Sequence, residues 1–558
     1  MMAVVYARTS SDVEDAVRCA VFGGWQVSAL NGRHSTWGMV DGYVVVEVSN
    51  ITAPAVVDTD AQTITFGSGY THGVLVNALR DMTPPNAMMS IGNGASVGYF
   101  GYLVGGGIGY ATPAVGMGCD GLVEIQTVLF NGTTVVANEK QNQDILWASC
   151  GGGGGLGIVT EVTMRYTLAE VEDFSYGSLQ FKVQDNLEDQ AAMITDVLEF
   201  FGSPENTVYG GQILFGPDAF TFIGLFQGSI EQVEALMDSL SFSEYVETYD
   251  LQSSSIFAIA SAYHVCNWMS GAMRGLVNRD SITNDTLQAL ESDIQNDLIN
   301  GGITDINLSI EDFTDTSRRT CFNETLLDAM VTVAGNRSSF LSWGLHIASN
   351  PRDEDFDAEW STVRPAGKIR FMPVPSVDVM EKLLSVLAGF PDEGPISITR
   401  VSSGKVMSRG LQDTAFPWRQ SPLMTRLRKN VLVPTMEVLQ EAYPNQLGGY
   451  YGLSDPFDSN WQYTYYGSNY ARLGEIRAKY DPLNTFGKKL TPTQIFSSPV
   501  IDDTASFEEE VDGDTEEDAD ANATGSSGTA VLGIPFSSFM VQTVVPTILI
   551  VHLFGVAL

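Results

Sequence analysis

The stretch between residues 90 and 160 constrains this chain most. Glycine recurs there as Gly92, Gly94, Gly98, Gly101, Gly105, Gly106, Gly107, Gly109, Gly116, Gly118 and Gly121, and then as the unbroken run 151–155. Glycine adopts positive φ without strain and lets a backbone approach its neighbour closely. Several such loops together can present backbone N–H groups to phosphate oxygens, so their density points to a large bound cofactor. A flexible linker is the bland alternative. It fails because the apolar segments 146–148 and 158–160, which read as strand-like, pin the run at both ends.

Two familiar motifs fit poorly. Gly105-x-Gly107-x-Gly109 has the wrong spacing for a dinucleotide fingerprint, and residues 110–113 do not read as the opening of a helix. Gly94-Ala-Ser96-Val-Gly98 matches a nucleophile elbow, which requires a strand before the serine and a helix after it. With 55 glycines in the chain a chance match is unsurprising.

Elsewhere strands and helices alternate. Helical spacing of Val13, Ala16, Val17 and Ala20 predicts a helix over 11–22, stopped by Gly23-Gly24. Strands are expected at 25–30, 43–48 and 63–66, with a helix over 72–79. Further on, strands are expected at 180–183, 208–215, 220–226, 340–348 and 368–372, and helices at 188–201, 231–239, 285–296 and 377–387. At 558 residues, 44% hydrophobic, the chain can bury two or three cores. Its formal charge of −38 repels polyanions and excludes nucleic acid as a partner.

The five cysteines, Cys19, Cys119, Cys150, Cys266 and Cys321, lack metal-site spacing; no metal is expected, and one or two disulfides remain open. Seven sequons, at Asn50, Asn131, Asn284, Asn307, Asn323, Asn336 and Asn522, matter only on the secretory side. No signal peptide is visible in residues 1–8. The acidic stretch 502–520 holds eleven carboxylates, and 539–558 is an apolar stretch of twenty residues. With the small-residue cluster 522–528 before it, this layout favours a glycolipid anchor over a spanning helix, and either over a plain tail on a soluble enzyme. The expectation is a secretory or cell-surface protein, held to a membrane by its C-terminal tail behind a self-repelling acidic stalk.

Asn31-Gly32-Arg33-His34-Ser35, Gly92-Asn-Gly-Ala-Ser96-Val97-Gly98, Leu103-Val-Gly105-Gly106-Gly107-Ile-Gly109, Gly118-Cys-Asp120 and Asp144-Ile-Leu-Trp147 follow one another in order. Ala442-Tyr443-Pro-Asn445, Tyr465-Tyr466-Gly-Ser-Asn469-Tyr470-Ala-Arg472-Leu473, Lys479-Tyr480-Asp481-Pro482 and Phe486 close the series. Together they resemble the berberine-bridge-enzyme-like FAD-linked oxidases across residues 3–490. The resemblance implies an α+β fold: a two-subdomain PCMH-type FAD-binding domain over 1–168, and a substrate domain over 169–440 with an antiparallel sheet backed by helices. Residues 441–495 would return to the FAD domain, followed by an acidic stalk over 496–530 and the hydrophobic tail 531–558.

The same resemblance implies FAD bonded covalently through His34. A second link through cysteine is not expected, because Gly94 stands where relatives carry that residue. Gly32, Arg33, Ser35, Gly92, Ser96, Val97, Gly98, Gly101, Gly105, Gly106, Gly107, Asp120, Gly157, Ile158, Val159, Asn445 and Asn469 are the further cofactor contacts it implies. Tyr443 is implied as the proton acceptor and Val97 as the residue bordering oxygen's path. Arg419 and Trp418 match a segment near the active site, and Cys150 stands where arginine is common. The implied activity is oxidation of an alcohol, sugar or amine-bearing small molecule, with O2 as acceptor and H2O2 as product. A flavin dehydrogenase with another acceptor and a non-catalytic surface glycoprotein are the alternatives.

Overall fold

The computed structural model describes residues 2–32, 42–92, 94, 97–171, 173–254, 367–391, 396–428, 431–451, 458 and 460–487, with a few isolated positions between 288 and 299. Arg33, His34, Ser35 and Ser96 lie outside them, as do the strand expected at 340–348, most of the helix expected at 285–296, the acidic stalk and the apolar tail.

The chain opens with β1 (Ala3–Tyr6), α1 (Ser10–Phe22), β2 (Val27–Leu30) and β3 (Val44–Glu47). These strands form a parallel sheet in the order β1-β3-β2. Thr9 caps α1 reciprocally: the Asp12 amide donates to the Thr9 hydroxyl, and the Thr9 amide donates to the Asp12 carboxylate. Such a cap contributes about 1 kcal/mol. The helix buries Val13, Ala16, Val17 and Ala20 against Val44 and Val46, the small core that the spacing predicts.

A second lobe comprises β4 (Val56–Asp58), β5 (Thr63–Gly67), α2 (His72–Met82), β6 (Ala87–Met88), α3 (Tyr99–Val104), α4 (Thr112–Val115), a 3-10 turn (Gly118–Gly121), β7 (Leu122–Val128), β8 (Thr134–Asn138), α5 (Gln143–Ala148), β9 (Ile158–Arg165) and β10 (Thr167–Leu168). Its antiparallel sheet runs β4-β5-β9-β7-β8.

Two readings are corrected here. Residues 146–148 lie in helix α5 rather than a strand, because three consecutive apolar residues carry no period. One turn of helix opens at Thr112, where Pro113 needs no N–H partner in a first turn. The nucleophile elbow, for its part, has the helix it requires after Gly98 but not the strand before the serine, since residues 89–92 form none.

The remaining strands build one large antiparallel sheet. They are β11 (Phe174–Phe181), β12 (Tyr209–Gly216), β13 (Ala219–Gln227), β14 (Val246–Ser254), β15 (Gly367–Met372), β16 (Ile396–Val401), β17 (Leu423–Arg428) and β18 (Gly448–Gly449), ordered β14-β11-β13-β12-β16-β17-β15-β18. Alternation along each strand gives this sheet two buried faces. Phe174, Tyr176, Leu225, Ile369, Phe371 and Met424 join the core of the glycine-rich lobe. On the other face Leu179, Phe181, Ile213, Phe222 and Phe226 pack under α6 (Leu187–Gly202), α7 (Ile230–Asp238), α8 (Val377–Ala388) and α9 (Leu432–Ala442). The chain then returns to the second lobe as α10 (Trp461–Tyr466) and α11 (Tyr470–Tyr480). The fold is α+β, as expected.

Candidate cofactor site

The glycine bends occupy the seam between the lobes and the inner face of the large sheet. Gly98 closes a bridge with Thr71, and a Cβ there would meet the Asn31 amide at 2.8 Å. The His72 amide donates to the Val97 carbonyl at 3.0 Å, and the Val97 amide to Gly94 O at 3.1 Å, so the Val97 bend is fixed by backbone bonds. Gly106 and Gly107 take φ of 106° and 81°, and their carbonyls accept from the amides of Cys119 and Gly118. Gly105 caps α3, and Gly101, exposed, has open space where a side chain would stand. Gly92 is buried against Tyr102 and His72.

Around these bends the protein leaves buried polar atoms unsatisfied. Asn31 Oδ1, Ser68 Oγ, Thr71 Oγ1 and Thr160 Oγ1 are buried and find no hydrogen-bond partner among the described residues. Asn31 follows β2, Ser68 follows β5 and Thr160 lies in β9, so three strands deliver them. The Asn31 amide donates to the carbonyls of Ser68 and Tyr70, and the Ser68 amide donates to Thr160 O, which draws them into one group. A buried unsatisfied oxygen costs about 1–3 kcal/mol. This donor and acceptor set beside glycine bends fits a ligand rich in hydroxyl and phosphate oxygens, as FAD is.

Other sequence-chosen residues are occupied by the protein itself. The Asp120 carboxylate accepts from both terminal nitrogens of Arg419, at 2.6 and 3.0 Å, and from the Met117 amide at 2.9 Å. Arg419 is fully buried and also donates to Thr414 Oγ1 at 2.7 Å. Asn469 donates to the carbonyls of Leu411, Thr414 and Ala415, holding the segment that leads to Arg419. Gly157, Ile158 and Val159 start β9 against Thr127 and Val128. Gly32 is half-buried just after β2.

Tyr443 and Asn445 are not gathered with the glycine bends. The Tyr443 ring packs with the helices of the outer sheet face, and its hydroxyl accepts from the Ser376 amide at 3.3 Å. Burial pushes its pKa up, opposite to what a base at neutral pH needs, and the Ser376 bond only partly offsets it. Asn445 is exposed at φ 63°, its carbonyl accepting from the Tyr463 hydroxyl.

Sequence reasoning missed the disulfide between Cys119 and Cys150, whose Cα atoms lie 5.0 Å apart. It ties the 3-10 turn behind Gly106 and Gly107 to the start of the glycine run. Two quoted motifs also prove to be halves of one joint. Asp144 accepts from Lys479 Nζ at 2.8 Å and the Tyr480 hydroxyl at 2.7 Å, while the Arg472 guanidinium lies 3.9 Å above the Trp147 ring. Burial raises the Asp144 pKa, but those two hydrogen bonds outweigh it and hold the carboxyl below its usual range.

Residues 1–138 match the family described as FAD binding domain, and 449–490 match berberine and berberine like. The chain thus carries an FAD binding domain near one end and a berberine-like segment near the other. Glucooligosaccharide oxidase of Sarocladium strictum is 35% identical over 165 residues, which cover 28% of this chain and 32% of that protein. The chain thus aligns with only about a third of that curated relative's length. Its fold extends further. Xylooligosaccharide oxidase from Myceliophthora thermophila superposes with a TM-score of 0.64 at 16% identity, covering 89% of this chain and 92% of that one. The Acremonium strictum glucooligosaccharide oxidase described with a 6-S-cysteinyl, 8α-N1-histidyl FAD superposes with a TM-score of 0.61 at 17% identity, covering 89% and 91%. The berberine-like match begins at Gly449, beyond Tyr443.

Proposed function

We propose that this protein is an FAD-dependent oxidase of a small carbohydrate or related alcohol, passing electrons to O2 and releasing H2O2. The observation that carries the reading is the group of buried oxygens of Asn31, Ser68, Thr71 and Thr160, unsatisfied among the described residues, beside the Gly98 bend. When bound there, FAD supplies the two-electron redox chemistry. The protein contributes the rest: hydroxyl and amide groups to hold the cofactor, and the inner face of the eight-stranded sheet to exclude water. The carbohydrate preference rests on the sugar oxidases among the relatives.

His34 is proposed as the covalent attachment point, by a single bond since Gly94 stands where a second would need cysteine. Secretion and membrane attachment through the C-terminal tail belong to the same proposal; the buried disulfide, which forms in oxidising compartments, supports secretion alone.

The test is purified protein with a flavin spectrum that survives acid precipitation, released by His34→Ala, followed by a peroxide-coupled screen of oligosaccharides and alcohols. Turnover with a dye acceptor but none with oxygen would assign a dehydrogenase instead. Colourless, flavin-free protein would leave only a surface glycoprotein. Val97→Leu is expected to slow oxygen-dependent turnover while sparing dye-dependent turnover; equal slowing of both would remove Val97 from oxygen's path.

A further inference from the structure

One cleft collects positive charge that the proposed chemistry does not use. It encloses about 390 Å³ where α4 and the Gly118–Gly121 turn of the glycine-rich lobe meet the 3-10 turn Gly404–Ser408, which follows β16 of the large sheet. Arg165, Lys405 and Arg409 line it, with the hydroxyl-bearing Thr167 and Ser408 beside them. Asp120 also lines it but is already neutralised by the buried Arg419. Arg409 reaches Asp120 only at 3.6 Å and is 43% exposed. Among the described residues, Arg165 and Lys405 have no carboxylate partner.

Chance gathers acids rather than bases in a chain with 67 acidic and 29 basic residues. Three cations on one cleft repel each other, and an anion between them relieves that repulsion. The same net charge of −38 keeps long polyanions away, and the volume suits a metabolite rather than a polymer. We propose that this cleft binds a small polyanion carrying two or more carboxylate or phosphate groups. Such a ligand spans the two lobes. Its floor is the turn whose Gly118 and Cys119 amides donate to Gly107 and Gly106 at 2.7 and 3.0 Å, so occupancy steadies the bend proposed to hold the cofactor.

The test uses the full chain as purified with its flavin, titrated with citrate and with pyrophosphate by calorimetry and thermal unfolding, against sodium chloride at matched ionic strength. Binding below about 1 mM is expected, with a Tm that climbs with the logarithm of ligand concentration. The stronger of the two ligands names the chemistry as carboxylate or phosphate. Arg165→Gln/Lys405→Gln, which alters two exposed side chains, should weaken binding at least tenfold with flavin spectrum and turnover unchanged. Lys140→Gln/Lys382→Gln, the same charge removed elsewhere, should bind as the parent does. No binding beyond the chloride control, or equal loss in both double variants, overturns the site. The flavin spectrum reports the redox proposal separately, so the two can fail independently.

Discussion

Arg419 shows how a residue near a cofactor site can be essential without touching a cofactor. Its fully buried guanidinium forks onto Asp120, and Thr414 takes a further N–H. Arg419→Met leaves the Asp120 carboxylate with only the Met117 amide and the longer Arg409 contact, a loss of about 3 kcal/mol, the lower end for a broken buried pair. Urea unfolding should register it, together with flavin loss as the turn behind Gly106 and Gly107 loosens. Arg419→Lys keeps the charge but not the fork, so an intermediate loss is expected. A midpoint unchanged in Arg419→Met would mean that the Asp120 pair carries no net stability. Tyr443 is the opposite case: a motif residue whose hydroxyl is spent on the Ser376 amide amid helix packing. Tyr443→Phe is therefore expected to leave flavin reduction within a few-fold of the parent rate in stopped-flow. A drop of about 10²-fold, the scale of a lost general base, would return the catalytic role to it.

At the level of elements, the run 151–155 joins segments as much as it approaches a ligand. Gly151 lies against the Phe416 backbone, Gly152 against Leu473 and Gly153 against the Tyr451 ring, so the returning chain docks directly on it. A Cβ on Gly153, at φ 77°, would stand 2.7 Å from that ring, whereas Gly154, at φ 78°, has nothing closer than the Val104 methyls at 4.0 Å. Gly154→Ala should cost only left-handed strain, about 1 kcal/mol, and Gly153→Ala about 2 kcal/mol or more, because the ring must also move. Equal losses on thermal unfolding would refute the docking account. The Cys119–Cys150 staple encloses a separation of 31 residues, for which chain entropy gives roughly 3–4 kcal/mol. Replacing both cysteines by serine should lower stability by up to that amount, with no change in a variant of Cys19, the exposed free thiol.

These joints also mark where sequence reading stops. The 3.6-residue spacing of α1 and the alternation along β12 and β13 are local, and all three elements stand within two residues of where pattern puts them. Helix α5 has one and a half turns and no period; Asp144 docking on Lys479 and Tyr480, 335 and 336 residues away, holds it in place. The Asp120–Arg419 pair spans 299 residues, and the cysteine pairing depends on the same long-range closure. Spacing cannot reveal any of them.

At the scale of the whole molecule, the compartment in which the chain folds is the property with most observations bearing on it. A buried disulfide persists where thiols are oxidised, which in a cell means the secretory route or the outside. A strongly acidic surface suits a soluble body there and keeps copies of it apart. The sequons supply an independent measure, because glycosylation requires an accessible asparagine in an exposed turn. Asn50 is exposed at the turn after β3, and Asn131 is exposed at the tip of the β7–β8 hairpin. Its side-chain oxygen accepts from the Thr133 amide at 3.0 Å, and Gly132, at φ 73°, gives the turn its shape. Neither asparagine faces a core, so a glycan on either costs no packing. Expression of the full chain behind a secretory leader in a eukaryotic host should give protein whose Asn50 and Asn131 peptides shift in mass after peptide N-glycosidase treatment. The Cys119–Cys150 peptide pair should appear linked without reductant in the same digest. Unmodified asparagines at both positions, with Cys119 and Cys150 recovered as free thiols from natively produced protein, would place folding in a reducing compartment and overturn the secretory assignment.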